Sequence, residues 1–286
     1  MVKMRAWLQA IRLPTLAAGI SPLLISLFLT LKEGGSVTFL FFLLLAFTLC
    51  IQIGTNISND YFDFIKGADT TDRVGPVRVC QKGLLSLEEV RMGFFTAFFT
   101  AFCIAFFLSW SVGVWLLALG VVSIILGLAY TAGPYPLGYL GLSELFVLLF
   151  FGPIAVGVAF FLQTKIVKIS PFIIGIGPGL ISCALLVINN LRDQKQDKKA
   201  KKNTLVVRFG TLFGFFEYSL CILCPCGIAA YYFPGWTIAF TLLFIAALFL
   251  IQGLIRSTLS YRQLLPYTCY FLWIYTALIG DAILRS

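Results

Sequence analysis

The chain has 286 residues, 60% hydrophobic and 12% charged, with 21 Lys and Arg, 12 Asp and Glu, and no histidine. A soluble domain carries about 25% charged residues, so this composition, with a mean hydropathy of +0.97, excludes an ordinary water-soluble domain. The net charge of +9 calls for no nucleic acid, because basic loops facing anionic lipid account for it.

Apolar runs predict nine transmembrane helices, at about 14–31, 37–57, 92–111, 113–131, 143–162, 170–190, 212–233, 236–255 and 265–283. About 20 apolar residues cross the hydrocarbon core. The first run follows Lys3, Arg5 and Arg12 and looks a little like a secretory signal, but it is too long and more spans follow. Only "SVG" separates the third and fourth, which predicts a tight hairpin. No linker is long enough to divide two domains, so the expectation is one membrane domain over residues 1–286.

Basic residues test the count. With the N-terminus in the cytoplasm, 17 of the 21 fall inside, and Lys32, Lys165, Lys168 and Arg285 fall outside. That asymmetry predicts nine spans with a cytoplasmic N-terminus and an external C-terminus. Of eight cysteines only Cys80 sits clearly in a loop, and "CPC" at 224–226 has no partner cluster, so they read as small hydrophobes. Without histidine, a bound metal must be a hard cation held by carboxylates and amides.

The acids are placed less evenly. Asp60, Asp63, Asp69, Asp72, Glu88 and Glu89 lie in the 58–91 loop, and Asp193 and Asp197 in the 191–211 loop. Topology does not require acids there. "SNDYFDFIKG" at 58–67 and "INNLRDQKQD" at 188–197 match weakly, pairing Asn59 with Asn189 and Asp63 with Asp193, and setting Gly67 opposite Asp197. Such repeats flank sites in membrane proteins. If each helix continues a turn or two beyond the hydrocarbon, these side chains form stripes at i, i+3 and i, i+4. Two facing stripes would gather at least four carboxylates, which need cations to offset their repulsion.

Oxygen-only ligands suit Mg²⁺, which shares its shell with substrate phosphates. Lys66, Arg73 and Arg78 follow the first stripe, and Arg192, Lys198, Lys199, Lys201 and Lys202 surround the second. These suit a polyanion held through Mg²⁺. A diphosphate head before an apolar bundle suits an isoprenoid diphosphate. Its departure leaves an allylic cation that needs a water-poor, aromatic pocket.

"NDYFDFIKGADTTDRVGPVR" and "NNLRDQKQDKKAKKNTLVVRFG" resemble the two Asp-rich signatures of the UbiA superfamily of intramembrane aromatic prenyltransferases, and "YTAGPYPLGYLGLSE" at 130–144 resembles its dihydroxynaphthoate branch. The resemblance implies an all-α fold of nine helices around a central cavity, with both Asp-rich motifs at its cytoplasmic mouth, in a bacterial cytoplasmic membrane. It implies Mg²⁺-dependent transfer of a polyprenyl group from polyprenyl diphosphate to 1,4-dihydroxy-2-naphthoate with loss of CO₂. Carried over by position, Asp60, Asp63, Asp193, Asp197 and Asp69 would serve the metal. Asn59, Arg73, Arg78, Asn189 and Lys202 would serve the diphosphate, and Tyr130 would lie near the allylic carbon. Asp63 and Asp193 are the carboxylates expected to matter most for turnover. The superfamily motif often reads N-D-x2-D-x3-D; its last position is Gly67 here, as in the naphthoate branch, and the next acid is Asp69.

Other readings stay open at this point. Relatives use 1,4-dihydroxy-6-naphthoate, 4-hydroxybenzoate or homogentisate. A transporter would more often bury charge mid-span, and the motif of CDP-alcohol phosphotransferases is absent. Glu144 reads as a helix N-terminal acid, and Asp281 as an interfacial or paired one.

Overall fold

The computed structural model describes residues 2–68, 75 and 78–286. Asp69 and Arg73, named above, lie outside the described residues. The described elements are helical throughout: thirteen α-helices and two short 3-10 turns. Among the described residues eight segments are long and apolar enough to cross a membrane: Lys3–Lys32, Phe39–Ile65, Leu87–Val112, Ser143–Thr164, Ser170–Lys199, Thr211–Tyr232, Pro234–Ile255 and Tyr261–Arg285. The remaining expected span, the fourth, is a shorter helix, Val114–Ala129, of 16 residues. At 1.5 Å per residue it covers about 24 Å, less than the hydrocarbon core.

The chain divides into two compact units, each drawn from three stretches of sequence. The first comprises Met1–Leu16, Phe42–Ser143 and Asp193–Val207; the second comprises Ala17–Phe41, Glu144–Arg192 and Arg208–Ser286.

In the first unit, the N-terminal tail is helical. It forms α1, Val2–Ile11, which buries Ala6 and Ala10 in one cluster with Ile57, Val79, Cys80, Leu85, Val90, Phe94 and Phe98. Lys3 pairs with Glu89 at 2.6 Å. α3, Phe39–Ile65, has 27 residues, about 40 Å of helix. Its last two turns therefore reach past a hydrocarbon core of about 30 Å. α4, Leu87–Val112, starts from a capping box made by Ser86 and Glu89. Gly113 alone separates α4 from α5, Val114–Ala129, and its φ of +105° makes the tight hairpin possible.

In the second unit, α2, Ala17–Lys32, packs against α8, Pro153–Thr164, and α13, Tyr261–Arg285. The fifth expected span is broken into α7, Ser143–Phe150, and α8. Pro153 cannot donate to the preceding turn, and Gly152 meets Gly175 backbone to backbone: a Cβ there would stand 2.6 Å from the Gly175 carbonyl oxygen. α9, Ser170–Lys199, is 30 residues long and contributes to both units.

Both acidic helices end in the same way. At the end of α3, Gly67 N–H donates to Phe64 O at 3.0 Å and Ala68 N–H to Asp63 O at 2.9 Å. At the end of α9, Lys201 N–H donates to Lys198 O at 3.2 Å and Lys202 N–H to Asp197 O at 2.8 Å. Each is a Schellman cap with a left-handed residue, Gly67 at φ +67° and Lys201 at φ +57°. The weak repeat thus survives in the backbone, but the second motif runs one turn further before its cap. Gly67 stands where the superfamily motif has an acid because the helix turns back there.

Candidate active site

The described acids of the first motif lie in the last turns of α3. Asp60 is 1% exposed and Asp63 is fully buried. Buried carboxylates need partners, and both have them. Asp60 accepts from Arg12 at 2.6 Å and from the Arg78 guanidinium, and the Val79 N–H lies 3.4 Å from its other oxygen. Asp63 accepts from Lys202 Nζ at 2.8 Å and from Tyr139 Oη at 3.2 Å, with Arg78 3.7 Å away. Four cationic or hydroxyl donors from four separate stretches of chain converge on one helix end.

Local structure explains their aim. Val79 and Cys80 bury themselves beside Ile57 and Phe94, so the preceding Arg78 is directed inward and only 6% exposed. Arg12 sits at the end of α1 with φ +58°, a conformation costing a non-glycine residue about 1 kcal/mol or more. Asn56, one turn before Asp60, holds that bend: its Nδ2 donates to Ile11 O at 2.9 Å and to Thr15 Oγ1 at 3.1 Å. Lys66, just past α3, donates to Thr131 O at 2.6 Å and Gly133 O at 3.0 Å. Partial burial and the neighbouring Lys202 push its ammonium pKa below the usual lysine value, while Asp63 works against them.

Asp193 and Asp197 are half-buried, one turn apart on α9. Lys202 links their helix to Asp63, since its backbone caps Asp197 and its side chain reaches Asp63. Asn189 belongs to the second unit, where its Nδ2 donates to Leu185 O at 3.1 Å. Tyr130 caps α5 and is half-buried, its carbonyl accepting from Gly138 N–H at 3.0 Å.

Among the described residues no three His, Cys, Asp or Glu side chains form a ready-made metal cage. The donors do fit Mg²⁺, which usually takes one or two carboxylates and leaves the rest of its shell to water and phosphate. Asn59, next to Asp60 in sequence and one turn before Asp63, has its Oδ1 buried with no hydrogen-bond partner among the described residues. A buried carbonyl oxygen left unpaired costs about 1–3 kcal/mol, and a hard cation is the partner its chemistry suits.

Sequence reasoning missed Arg12 and Tyr139. Arg12 was absorbed into the positive-inside count, and Tyr139 lay unremarked within "YTAGPYPLGY". Nothing local distinguishes either residue; only the fold brings them to the acids. In the second unit, Glu144 is more than a helix-start acid: it is 9% exposed and accepts from Asn190 Nδ2 at 2.8 Å. Asp281 pairs with Arg285 at 2.8 Å, as expected of a paired interfacial acid.

A model of the UbiA prenyltransferase family matches residues 19–275. The chain is 37% identical over 203 residues to a Haemophilus influenzae protein named 1,4-dihydroxy-2-naphthoate octaprenyltransferase, covering 66% of this chain and 65% of that one, just under two thirds of the relative's length. It is 33% identical over 225 residues to an Escherichia coli protein of the same name, covering 77% of this chain and 73% of that one. A UbiA homolog from Archaeoglobus fulgidus bound to GPP and Mg²⁺ has a TM-score of 0.66 at 16% identity, covering 98% of this chain and 100% of that one. A homolog from Aeropyrum pernix K1 has a TM-score of 0.66 at 13% identity, covering 93% and 97%. At these identities the structures establish the fold alone.

Proposed function

The chain belongs to the UbiA prenyltransferase family, and on that premise we propose that it transfers a polyprenyl group from polyprenyl diphosphate to 1,4-dihydroxy-2-naphthoate, releasing diphosphate and CO₂, in menaquinone biosynthesis. The observation that carries this reading is the buried Asp60–Asp63 pair set among Arg12, Arg78 and Lys202, with Asn59, next in sequence to Asp60, holding a buried oxygen that has no partner among the described residues. The names of the Haemophilus and Escherichia relatives support the acceptor, and the GPP and Mg²⁺ of the Archaeoglobus relative support the donor and the metal.

Asn59, Asp63, Asp193 and Asp197 would hold Mg²⁺, with Asp69 a further candidate ligand. The ion, when bound, offsets diphosphate charge. Asp60 faces two guanidiniums, so its best-supported role is to hold Arg12 and Arg78 in place. Arg78, Lys202 and Lys66 then donate to diphosphate oxygens, with Arg73 and Asn189 as further contacts. The bond between the allylic carbon and its oxygen breaks, and the electron pair leaves with the diphosphate. Donors gathered at that helix end stabilise the charge that develops on the departing oxygen. Tyr130 offers an aromatic face to the allylic carbon. A ring carbon of the acceptor bonds to that carbon while a nearby carboxylate takes the phenolic proton; the acceptor's carboxylate then leaves as CO₂, its bonding electrons restore the ring, and the proton returns to the oxygen to give the quinol. The N-terminus and both acidic motifs face the cytoplasm of a bacterium, and the C-terminus lies outside.

The test uses detergent-purified protein, labelled polyprenyl diphosphate and the naphthoate, with Mg²⁺ or EDTA. Label should enter a quinol product only with Mg²⁺, and Asp63→Ala or Asp193→Ala should abolish turnover in folded protein. Transfer only to 4-hydroxybenzoate, homogentisate or the 6-naphthoate would move the acceptor. No transfer to any acceptor would sink the prenyltransferase reading and favour a transporter.

A further inference from the structure

We propose that Tyr139 is a positioning residue of the transfer site: its hydroxyl orients the Asp63 carboxylate, and its ring holds the ammonium groups of Lys66 and Lys202. The inference rests on the reading that these acids receive a metal-bound diphosphate.

The geometry is specific. Tyr139 Oη donates to Asp63 Oδ1 at 3.2 Å, and Lys202 Nζ donates to Oδ2 at 2.8 Å. The carboxylate is gripped at both oxygens, so its plane is set while lone pairs remain for a cation. The same ring lies 5.0 Å from Lys66 Nζ and 4.9 Å from Lys202 Nζ, within the range of cation–π attraction. Two ammonium groups near one ring repel each other. They are kept together by the ring, by Asp63 and, for Lys66, by the carbonyls of Thr131 and Gly133.

Tyr139 is itself well anchored. It sits in a single helical turn, Leu137–Leu140, closed by Gly141 at φ +68°. Its carbonyl accepts from Asn203 N–H at 3.0 Å, and a Cβ on Gly141 would stand 2.8 Å from Asn203 O. The turn is thus clamped to the segment that carries Lys202. When diphosphate draws Lys202 away from Asp63, the ring keeps the ammonium close, and the hydroxyl keeps Asp63 aimed. A residue that only filled space would need neither its hydroxyl nor its π face.

The experiment measures binding of geranyl diphosphate by calorimetry to the purified full chain, in Mg²⁺ and in EDTA, for the wild type, Tyr139→Phe and Tyr139→Leu. Melting temperatures are followed in parallel. Tyr139→Phe keeps the ring, so its affinity in EDTA should match the wild type while the affinity in Mg²⁺ falls about tenfold, the worth of a hydrogen bond to a charged group. Tyr139→Leu should also lose severalfold in EDTA, because both lysines lose the ring. Wild-type affinity in both conditions for Tyr139→Phe would overturn the inference. So would equal losses with and without Mg²⁺ accompanied by a fall in melting temperature, which would mark a purely structural residue. A wild type that binds no better with Mg²⁺ than with EDTA would overturn the metal-diphosphate reading itself, and this inference with it.

Discussion

Lys202 Nζ lies 2.8 Å from Asp63 Oδ2, joining residues 139 positions apart in the chain. Because the Lys202 backbone also caps α9 at Asp197, one residue ties the ends of both acidic helices. Lys202→Met keeps the aliphatic stem and removes the charge. Asp63 retains Tyr139 and Arg78, so the loss should stop short of a fully stranded charge, at roughly 1–3 kcal/mol. Thermal unfolding in detergent checks this. Activity assays should show a KM for the diphosphate raised at least tenfold, with the KM for the acceptor little changed.

Arg12 reaches Asp60 only because Asn56 fastens the bend at the end of α1. Asn56→Ala removes two hydrogen bonds, for about 1–2 kcal/mol, and frees a strained backbone. Activity should drop although the Asn56 side chain bonds only to Ile11 and Thr15 among the described residues. An Arg12→Ala, Asn56→Ala double variant should lose little more activity than Arg12→Ala alone, because the two act as a unit. Full additivity would disprove the linkage.

Gly67 turns back the end of α3 at φ +67°, and among the described residues no atom lies within 4 Å of where its Cβ would be. The cost of Gly67→Ala is therefore conformational, about 1 kcal/mol, and Gly67→Asn should cost less. Gly67→Asp, which restores the superfamily's acid, should not raise activity, because the left-handed turn takes that side chain off the stripe. Enhanced turnover in Gly67→Asp would refute this account of the missing acid.

Asp281 and Arg285 form an exposed pair one turn apart on α13. Asp281→Ala should change stability by less than about 0.5 kcal/mol and leave transfer unchanged. It therefore serves as a control for charge removal as such.

The acidic motifs were legible because chemistry-bearing residues are rare in so apolar a chain. Asn59, Asp60 and Asp63 stand on a helix that outruns the membrane, as the stripe argument required, and Asp193 and Asp197 do the same on α9. The partners of the acids were harder to see. Lys202 was reached through the family motif, whereas Arg12 looked like any topological charge and Tyr139 like any interfacial aromatic.

By itself the sequence determined the membrane class, the set of apolar helices and the family, since each depends on composition, periodicity or local motif. Hydrocarbon length and helix spacing act between near neighbours, and a one-dimensional reading captures them. Only the tertiary structure decided which cations neutralise which acids, that α1 folds back to deliver Arg12, and that Tyr139 and Lys202 meet at Asp63. Those pairings span 48, 76 and 139 residues. They arise because a charge buried away from water must find a partner wherever the packed chain places one.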